Sequence, residues 1–535
     1  MKVDFDYVIV GAGSAGCVLA NRLSADPSVS VALVEAGGKD RHPLIHMPRG
    51  VAKLVKMPSL VWLYLTEPEL RTGMKPDYWL RGKVLGGSSS VNGMVWVRGQ
   101  PADFDDLAQA TSDDWSWRHI GRAYTEIERH ELGAAPTRGG SGPLRISLAR
   151  KGDALADAVA AAGQRMGWPI KADINEPDDG EGVGPMPRTI HRGKRQSAAV
   201  AFLRPISRRN NLTIITHAIA DKVVFEGNRA VGVDLLVKGE PRRIRAGRDV
   251  ILCAGAVASP GILERSGIGD PDLLGSLGIP VVQANPSVGE NMSEHRALRM
   301  QWRLRRPLSL NPQFSGWRVI RAVIQYYLTG KGPMSGAAMD MRAAFCSRRG
   351  LNRPDSQAQI GLYSWNIAAQ DGSLERSHGF CAVVNPLHPA SRGSVHIHTA
   401  DPLAPPTIRT NYFANANDRA IMVAATRLMR DLAGQEPLSQ LIETESAPGP
   451  EVQSDEAILE AVGKNGITGL HTVGSCRMGS DPASVVDPET RVRGVKGLRV
   501  VDASIMPVIP SGNTNAPTMA LAWRAADIIQ RTWVR

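Results

Sequence analysis

Tyr7-Val8-Ile9-Val10-Gly11-Ala12-Gly13-Ser14-Ala15-Gly16, followed by Val18, Leu19, Ala20 and Leu23, is the stretch on which the fold turns. Four consecutive apolar residues read as a buried strand, the glycines as a turn, and the later apolar residues as one face of a helix. The three glycines answer different needs. Gly11 permits the tight turn, Gly13 lets backbone approach a pyrophosphate, and Gly16 lets helix pack closely on strand. Ser14 and Ala15 open the helix, whose unpaired N–H groups and partial positive charge would face the phosphates. A second strand, Ser30 to Val34, runs into Glu35 and Ala36, with Glu35 nineteen residues after Gly16. An acid there accepts hydrogen bonds from ribose hydroxyls and repels a 2′-phosphate, which disfavours NADP and leaves FAD and NAD open. A glycine turn that binds nothing is the bland alternative; strand, helix, second strand and acid in register argue against it. The expected fold class is α/β, with a Rossmann-like domain.

A chain of 535 residues exceeds one hydrophobic core, because domains run roughly 50 to 250 residues, so two interleaved domains are expected. Its 43% hydrophobic and 21% charged content is that of a globular protein rather than a disordered or fibrous one. The net charge of +11 reads as a basic solvated surface. Its densest cluster, Arg303, Arg305 and Arg306, lacks the extended tract of a nucleic-acid arm, so no nucleic-acid partner is expected. Five cysteines form no CxxC pair, which suggests neither a zinc site nor a redox dithiol and points to a reducing compartment. The first apolar run is preceded by Asp4 and Asp6 rather than by positive charge, and no stretch reaches the roughly 18 apolar residues of a membrane span. A cytoplasmic protein is expected, with peripheral membrane attachment left open.

A second glycine-rich segment runs Arg81-Gly82-Lys83-Val84-Leu85-Gly86-Gly87-Ser88-Ser89-Ser90-Val91-Asn92-Gly93-Met94, and taken alone it reads as a loop. Three further blocks follow: Gly255 to Gly269, His471 to Gly479, and Val500 to Ser504 with Ser511 to Thr518. Together the four, in this order across the chain, resemble the signatures of the glucose–methanol–choline (GMC) oxidoreductases. The resemblance implies an FAD-binding domain in pieces, residues 1–155, 195–295 and 465–535. A substrate-binding cap built on an antiparallel sheet, residues 156–194 and 296–464, would be interleaved with it. It implies FAD held by Gly11, Gly13, Ser14, Ala15, Gly16, Glu35 and Ala36, and along the second segment by Val84, Gly86, Asn92, Gly93, Met94 and Val95. Val223 matches a position whose backbone contacts adenine, and Asp502 and Ala503 belong to the closing block. Val91 stands where some members attach the flavin through a histidine, so noncovalent FAD is expected. Two departures, Gly261 where many members carry glutamine and Glu294-His295 where Asp-His is commoner, read as packing differences.

Alcohol oxidation by a flavin requires a base for the hydroxyl proton and a fixed approach of the carbinol carbon to flavin N5. A neutral imidazole, with an ordinary pKa near 6.5, can take that proton. The resemblance assigns this role to His471 and matches Asn515 to a second polar residue whose amide donates to the developing alkoxide. Asn515 is equally suited to starting a helix expected near Pro517, through Leu521, Ala525 and Ile529. Cys476 and Met478 read as packing. The expected activity is oxidation of an alcohol, favoured as primary, to an aldehyde, with oxygen or another acceptor reoxidising the flavin. A flavin-bearing lyase, a fatty-acid photodecarboxylase and a nicotinamide-linked flavin reductase are the alternatives. For choline, Trp62 would supply one wall of an aromatic cage. Leu470, however, precedes His471 where choline-handling members carry an aromatic residue, which favours an uncharged, aryl or polyether alcohol.

Overall fold

A computed structural model describes residues 4–149, 152–369 and 372–534. Val8, Ile9 and Val10 are buried, as are all five residues of Val31–Glu35, the pattern of strands covered on both faces. Phe5–Val10 lies between Val31–Glu35 and the end of Glu240–Leu252, parallel to both. Leu212–Thr216 extends this parallel set at one side and Leu498–Val500 at the other. The helices Ser14–Leu23 and Asn515–Val534 cover it, with Val18, Leu19, Leu521 and Ala525 in one core.

The strand that joins the parallel set beside Phe5–Val10 extends well beyond its apolar end, covering Glu240–Leu252. Its first part mixes exposed Arg242 and Arg243 with buried Ile244 and runs antiparallel to Arg229–Val237, which pairs in turn with Ala218–Glu226. Its last part, Val250, Ile251 and Leu252, is wholly buried in the parallel set. Mixed polarity thus marks the part with one wet face, and continuous apolarity the part covered twice.

A second sheet is antiparallel, in the order Ile442–Ala447, Arg296–Leu304, Gly379–Pro386, Ser356–Gly361, Met341–Phe345 and Gly182–Pro185. It has its own core, in which Trp302, Ile360 and Phe380 meet helix residues such as Val159, Met429 and Val462. The chain is therefore α/β, a Rossmann-like sheet joined to an antiparallel one. Ile467–Thr468 pairs with the start of Arg296–Leu304. That pairing brings His295, just before one strand, beside His471, just after the other. Among the described residues no helix is long and apolar enough to cross a membrane.

Candidate active site

Between the sheets lies a cavity of about 680 Å³, the scale of a cofactor and ligand site. Gly11, Gly13, Ser14, Ala15, Glu35, Ala36, Asp502 and Ala503 line it from the parallel sheet, and Gln359, Val383 and Asn385 from the antiparallel one. A Cβ on Gly11, where φ is +104°, would stand 2.4 Å from the Cys253 carbonyl oxygen, and one on Gly16 would stand 1.9 Å from that of Gly11. A Cβ on Gly13 would touch nothing in the protein, so backbone alone faces the cavity there. No side chain caps the helix that follows, which leaves its first N–H groups for an anion. Gly86 N–H donates to Ala12 O at 2.8 Å, and a Cβ on Gly87 would lie 2.6 Å from Gly13 Cα. The second glycine segment is therefore seated directly on the first, and the pair fits a dinucleotide.

Glu35 accepts from Ala12 N–H at 3.0 Å and Gly37 N–H at 2.8 Å, one on each oxygen, and burial pushes its pKa up to about 7. Each oxygen keeps a second acceptor site for a ribose hydroxyl. Asp502 accepts from Gly255 N–H at 2.8 Å, Ser259 Oγ at 2.6 Å and Ser504 N–H at 2.8 Å, tying two distant blocks together. Asn92, Gly93, Met94 and Val95 also line the cavity. Val84, Gly86, Gly16 and Val223 stand behind the wall instead. Val84 packs with Ile45, Leu54, Val61 and Val91, while Gly86 takes φ +90° to turn the loop. Val223 N–H donates to Ser266 Oγ at 2.8 Å, and Ala218, Ile219 and Ala220 form the wall of that strand.

His471 is buried at the cavity wall, and its Nδ1 lies 2.9 Å from Nδ1 of His295. His295 Nε2 lies 2.8 Å from the Leu387 carbonyl, which can only accept, so His295 Nε2 carries hydrogen and its neutral Nδ1 does not. His471 Nδ1 therefore donates to His295, and His471 Nε2 presents its lone pair. The amide meeting that lone pair belongs to Asn513, whose Nδ2 is 2.7 Å away and whose Oδ1 accepts from Gln359 Nε2 at 3.1 Å. Burial, with the neighbouring His295 and Arg81 opposing a second positive charge, holds the His471 pKa well below its ordinary value. Burial lowers that of His295 to about 4. Both rings are neutral at pH 7.

Asn515, matched from sequence to this amide, is placed elsewhere: its Oδ1 accepts from Ser14 Oγ at 2.7 Å. It is the first residue of the last helix, whose packing turns it toward the glycine turn, whereas Asn513 lies in the irregular segment before it. Glu294 and His295 are more than packing differences. Glu294 accepts from His471 N–H at 2.7 Å, Thr472 Oγ1 at 2.6 Å and His295 N–H at 2.9 Å, and Arg81 Nη2 lies 3.8 Å away. The carboxylate thereby fixes the backbone that carries His471.

Profiles of the GMC oxidoreductases match residues 5–297 and 389–522. The chain belongs to the GMC oxidoreductase family. An oxygen-dependent choline dehydrogenase of Chromohalobacter salexigens is 39% identical over 98% of this chain and 95% of its own. Pyridoxine 4-oxidase from Mesorbium loti superposes with a TM-score of 0.88 at 30% identity, over 99% of both chains. A formate oxidase variant of Aspergillus oryzae does so with 0.91 at 27% identity, over 99% of this chain and 98% of its own. This GMC oxidoreductase is thus an FAD-dependent enzyme acting on CH–OH groups.

Trp62 and Leu470 both line the cavity of this GMC oxidoreductase. Lys83 Nζ lies 4.1 Å from the Trp62 ring centroid and Tyr64 stacks on the ring at 6.4 Å, so one cation already occupies the indole. Leu470 adopts φ +60° and Met94 φ +62°, left-handed conformations that cost roughly 1 to 3 kcal/mol each, beside His471 and within the second glycine segment.

Proposed function

We propose that this oxidoreductase holds FAD noncovalently and oxidises an uncharged, primary alcohol to an aldehyde, with His471 as the base and Asn513 as its partner. One observation carries the reading: the chain from Leu387 O through His295, His471 and Asn513 to Gln359 leaves one lone pair beside one amide donor at the cavity. A hydroxyl entering between them donates to His471 Nε2 and accepts from Asn513 Nδ2. As its proton moves to Nε2, the Asn513 N–H meets the negative charge gathering on oxygen. The His471 Nδ1–H bond to neutral His295 steadies the positive ring that results. FAD, when bound against the glycine turn, supplies the acceptor for the carbinol hydride. Val91 lines the cavity where some relatives attach flavin and has no nucleophilic atom, which supports noncovalent binding.

The charges around the cavity favour an uncharged substrate. Among the described residues its only carboxylates are Glu35 and Asp502, both holding backbone N–H groups, while Arg81 and Arg265 are its arginines. Glu294 is engaged by its own donors behind the base. Choline is the second reading, favoured by the relatives' 39% identity. Oxygen, named for those relatives, is the first acceptor to try. The five free cysteines support a reducing, cytoplasmic setting. Two sheets with separate cores support the division into residues 1–155, 195–295 and 465–535 for FAD and 156–194 and 296–464 for substrate. Anaerobic mixing with neutral alcohols and choline, followed by oxygen, tests the proposal. Bleaching by the neutral alcohols with recovery in oxygen is expected, and bleaching by choline alone overturns the substrate assignment.

A further inference from the structure

The helix Gly316–Thr329 turns its bulkiest apolar residues outward. Its buried face is Ala322 and Tyr326, packed beside Met47 and Met334, with the Tyr326 hydroxyl donating to His46 O at 3.2 Å. Trp317, Ile320, Ile324, Tyr327 and Leu328 are instead 54% to 80% exposed. At 3.6 residues per turn these five fall within an arc of about 100°. Arg321 borders the arc and Arg318 stands one step further round, both exposed. From Arg296 through Met339 the chain has no acidic residue and eight basic ones. Six of these, Arg303, Arg305, Arg306, Arg318, Arg321 and Lys331, are exposed, Arg303 beside Glu375 at 3.4 Å.

We propose that this helix docks the enzyme on an anionic phospholipid bilayer, with the apolar arc in the headgroup layer and the arginines against lipid phosphates. Charge selects this occupant: an apolar arc with Arg318 and Arg321 on the same helix, in a stretch of chain without an acidic residue, complements a negative sheet of lipid. Trp317 and Tyr327 are residues of the membrane–water interface. At 14 residues the helix is shorter than the roughly 20 a span requires, so it lies along the surface rather than through it. The exposed leucines near the cavity, Leu63, Leu65 and Leu70, lack this bias, because Glu67 and Glu69 lie among them.

Co-sedimentation of the holoenzyme with phosphatidylcholine vesicles, with and without phosphatidylglycerol, provides the test. Binding is expected only with phosphatidylglycerol, released by salt. R318Q/R321Q should lower the partition coefficient roughly 25-fold, at about fivefold per charge. I320S/I324S should abolish binding, while both variants retain FAD and wild-type flavin reduction in solution. Equal binding to both vesicle types, wild-type binding by either variant, or self-association of the wild type that I320S/I324S removes, overturns the proposal; the last result would make a second copy the occupant.

Discussion

His295 and His471 share one hydrogen across 2.9 Å between their Nδ1 atoms, and the Leu387 carbonyl decides that His471 holds it. A base is useful only if its free nitrogen faces the substrate, and here a peptide group 84 residues before His471 sets which nitrogen that is. His471→Ala should slow anaerobic flavin reduction by roughly 10² to 10⁴ fold, the span of general-base loss. His295→Phe keeps the base and releases its orientation, so about 10- to 100-fold is expected, the scale of an outer hydrogen bond to a functional histidine. Stopped-flow absorbance at saturating alcohol reads both, and a normal rate in His471→Ala removes the base assignment.

Asn513 and Asn515 differ by two positions and by role. Asn513→Ala should slow flavin reduction by about 100-fold, since it removes the donor at the developing alkoxide. Asn515→Ala should leave that step within a few fold and weaken FAD retention instead, because its partner is Ser14 in the glycine turn. His471→Ala/Asn513→Ala should cost less than the product of the single effects, as expected of groups serving one proton transfer. The reverse ranking of the two asparagines would return the role to Asn515.

Burial sets the acid side of the pH profile. With His471 held below its ordinary 6.5, kcat/KM should stay level from neutral pH down to about 6.5 and fall only below it. Stability follows the same direction. His295 titrates near 4 folded and near 6.5 unfolded, so between these values the unfolded chain takes the proton. Its neutral burial therefore contributes fully above pH 6.5, and that contribution is lost as pH falls toward 4. Tm measured across this window should drop for the wild type and less for His295→Phe. An acid limb above pH 7 contradicts the neutral-base reading.

The glycines separate cofactor binding from folding. Gly13→Ala adds a Cβ that meets no protein atom, so apoprotein Tm should hold while FAD affinity falls by roughly tenfold, about 1.4 kcal/mol. Gly16→Ala drives a Cβ into the Gly11 carbonyl and should cost about 1 to 3 kcal/mol of stability before any cofactor is added. Thermal scans with and without FAD distinguish them. Denatured holoenzyme should release its flavin intact; flavin retained on the polypeptide refutes noncovalent attachment at this Val91-bearing site.

Local chemistry explains what could be read from the chain. Gly11, Gly13, Gly16 and Glu35 are demanded by a turn and a strand end that form within a few dozen residues, so their spacing carries the information. Asn513 and Asn515 flank one threonine and share one chemistry; only the start of the last helix determines which faces His471 and which faces Ser14. His295 is visible beside Glu294, yet its contact with His471 spans 176 residues and depends on the pairing of Arg296–Leu304 with Ile467–Thr468. Val223 illustrates the same limit within one strand, where the cavity meets residues a few positions earlier and the matched residue supports Ser266.

The parallel sheet is completed by Leu498–Val500, which pairs with Glu240–Leu252 beside the first strand of the chain. Asp502, Ala503 and Asn513 of the cavity wall come later still. A polypeptide growing on the ribosome therefore displays its glycine turn hundreds of residues before the opposite wall exists, with strands waiting for a neighbour and open to wrong pairing. Flavin capture belongs to the finished chain. Translation that stops short of Leu498 yields no weaker version of this enzyme, only an unclosed sheet.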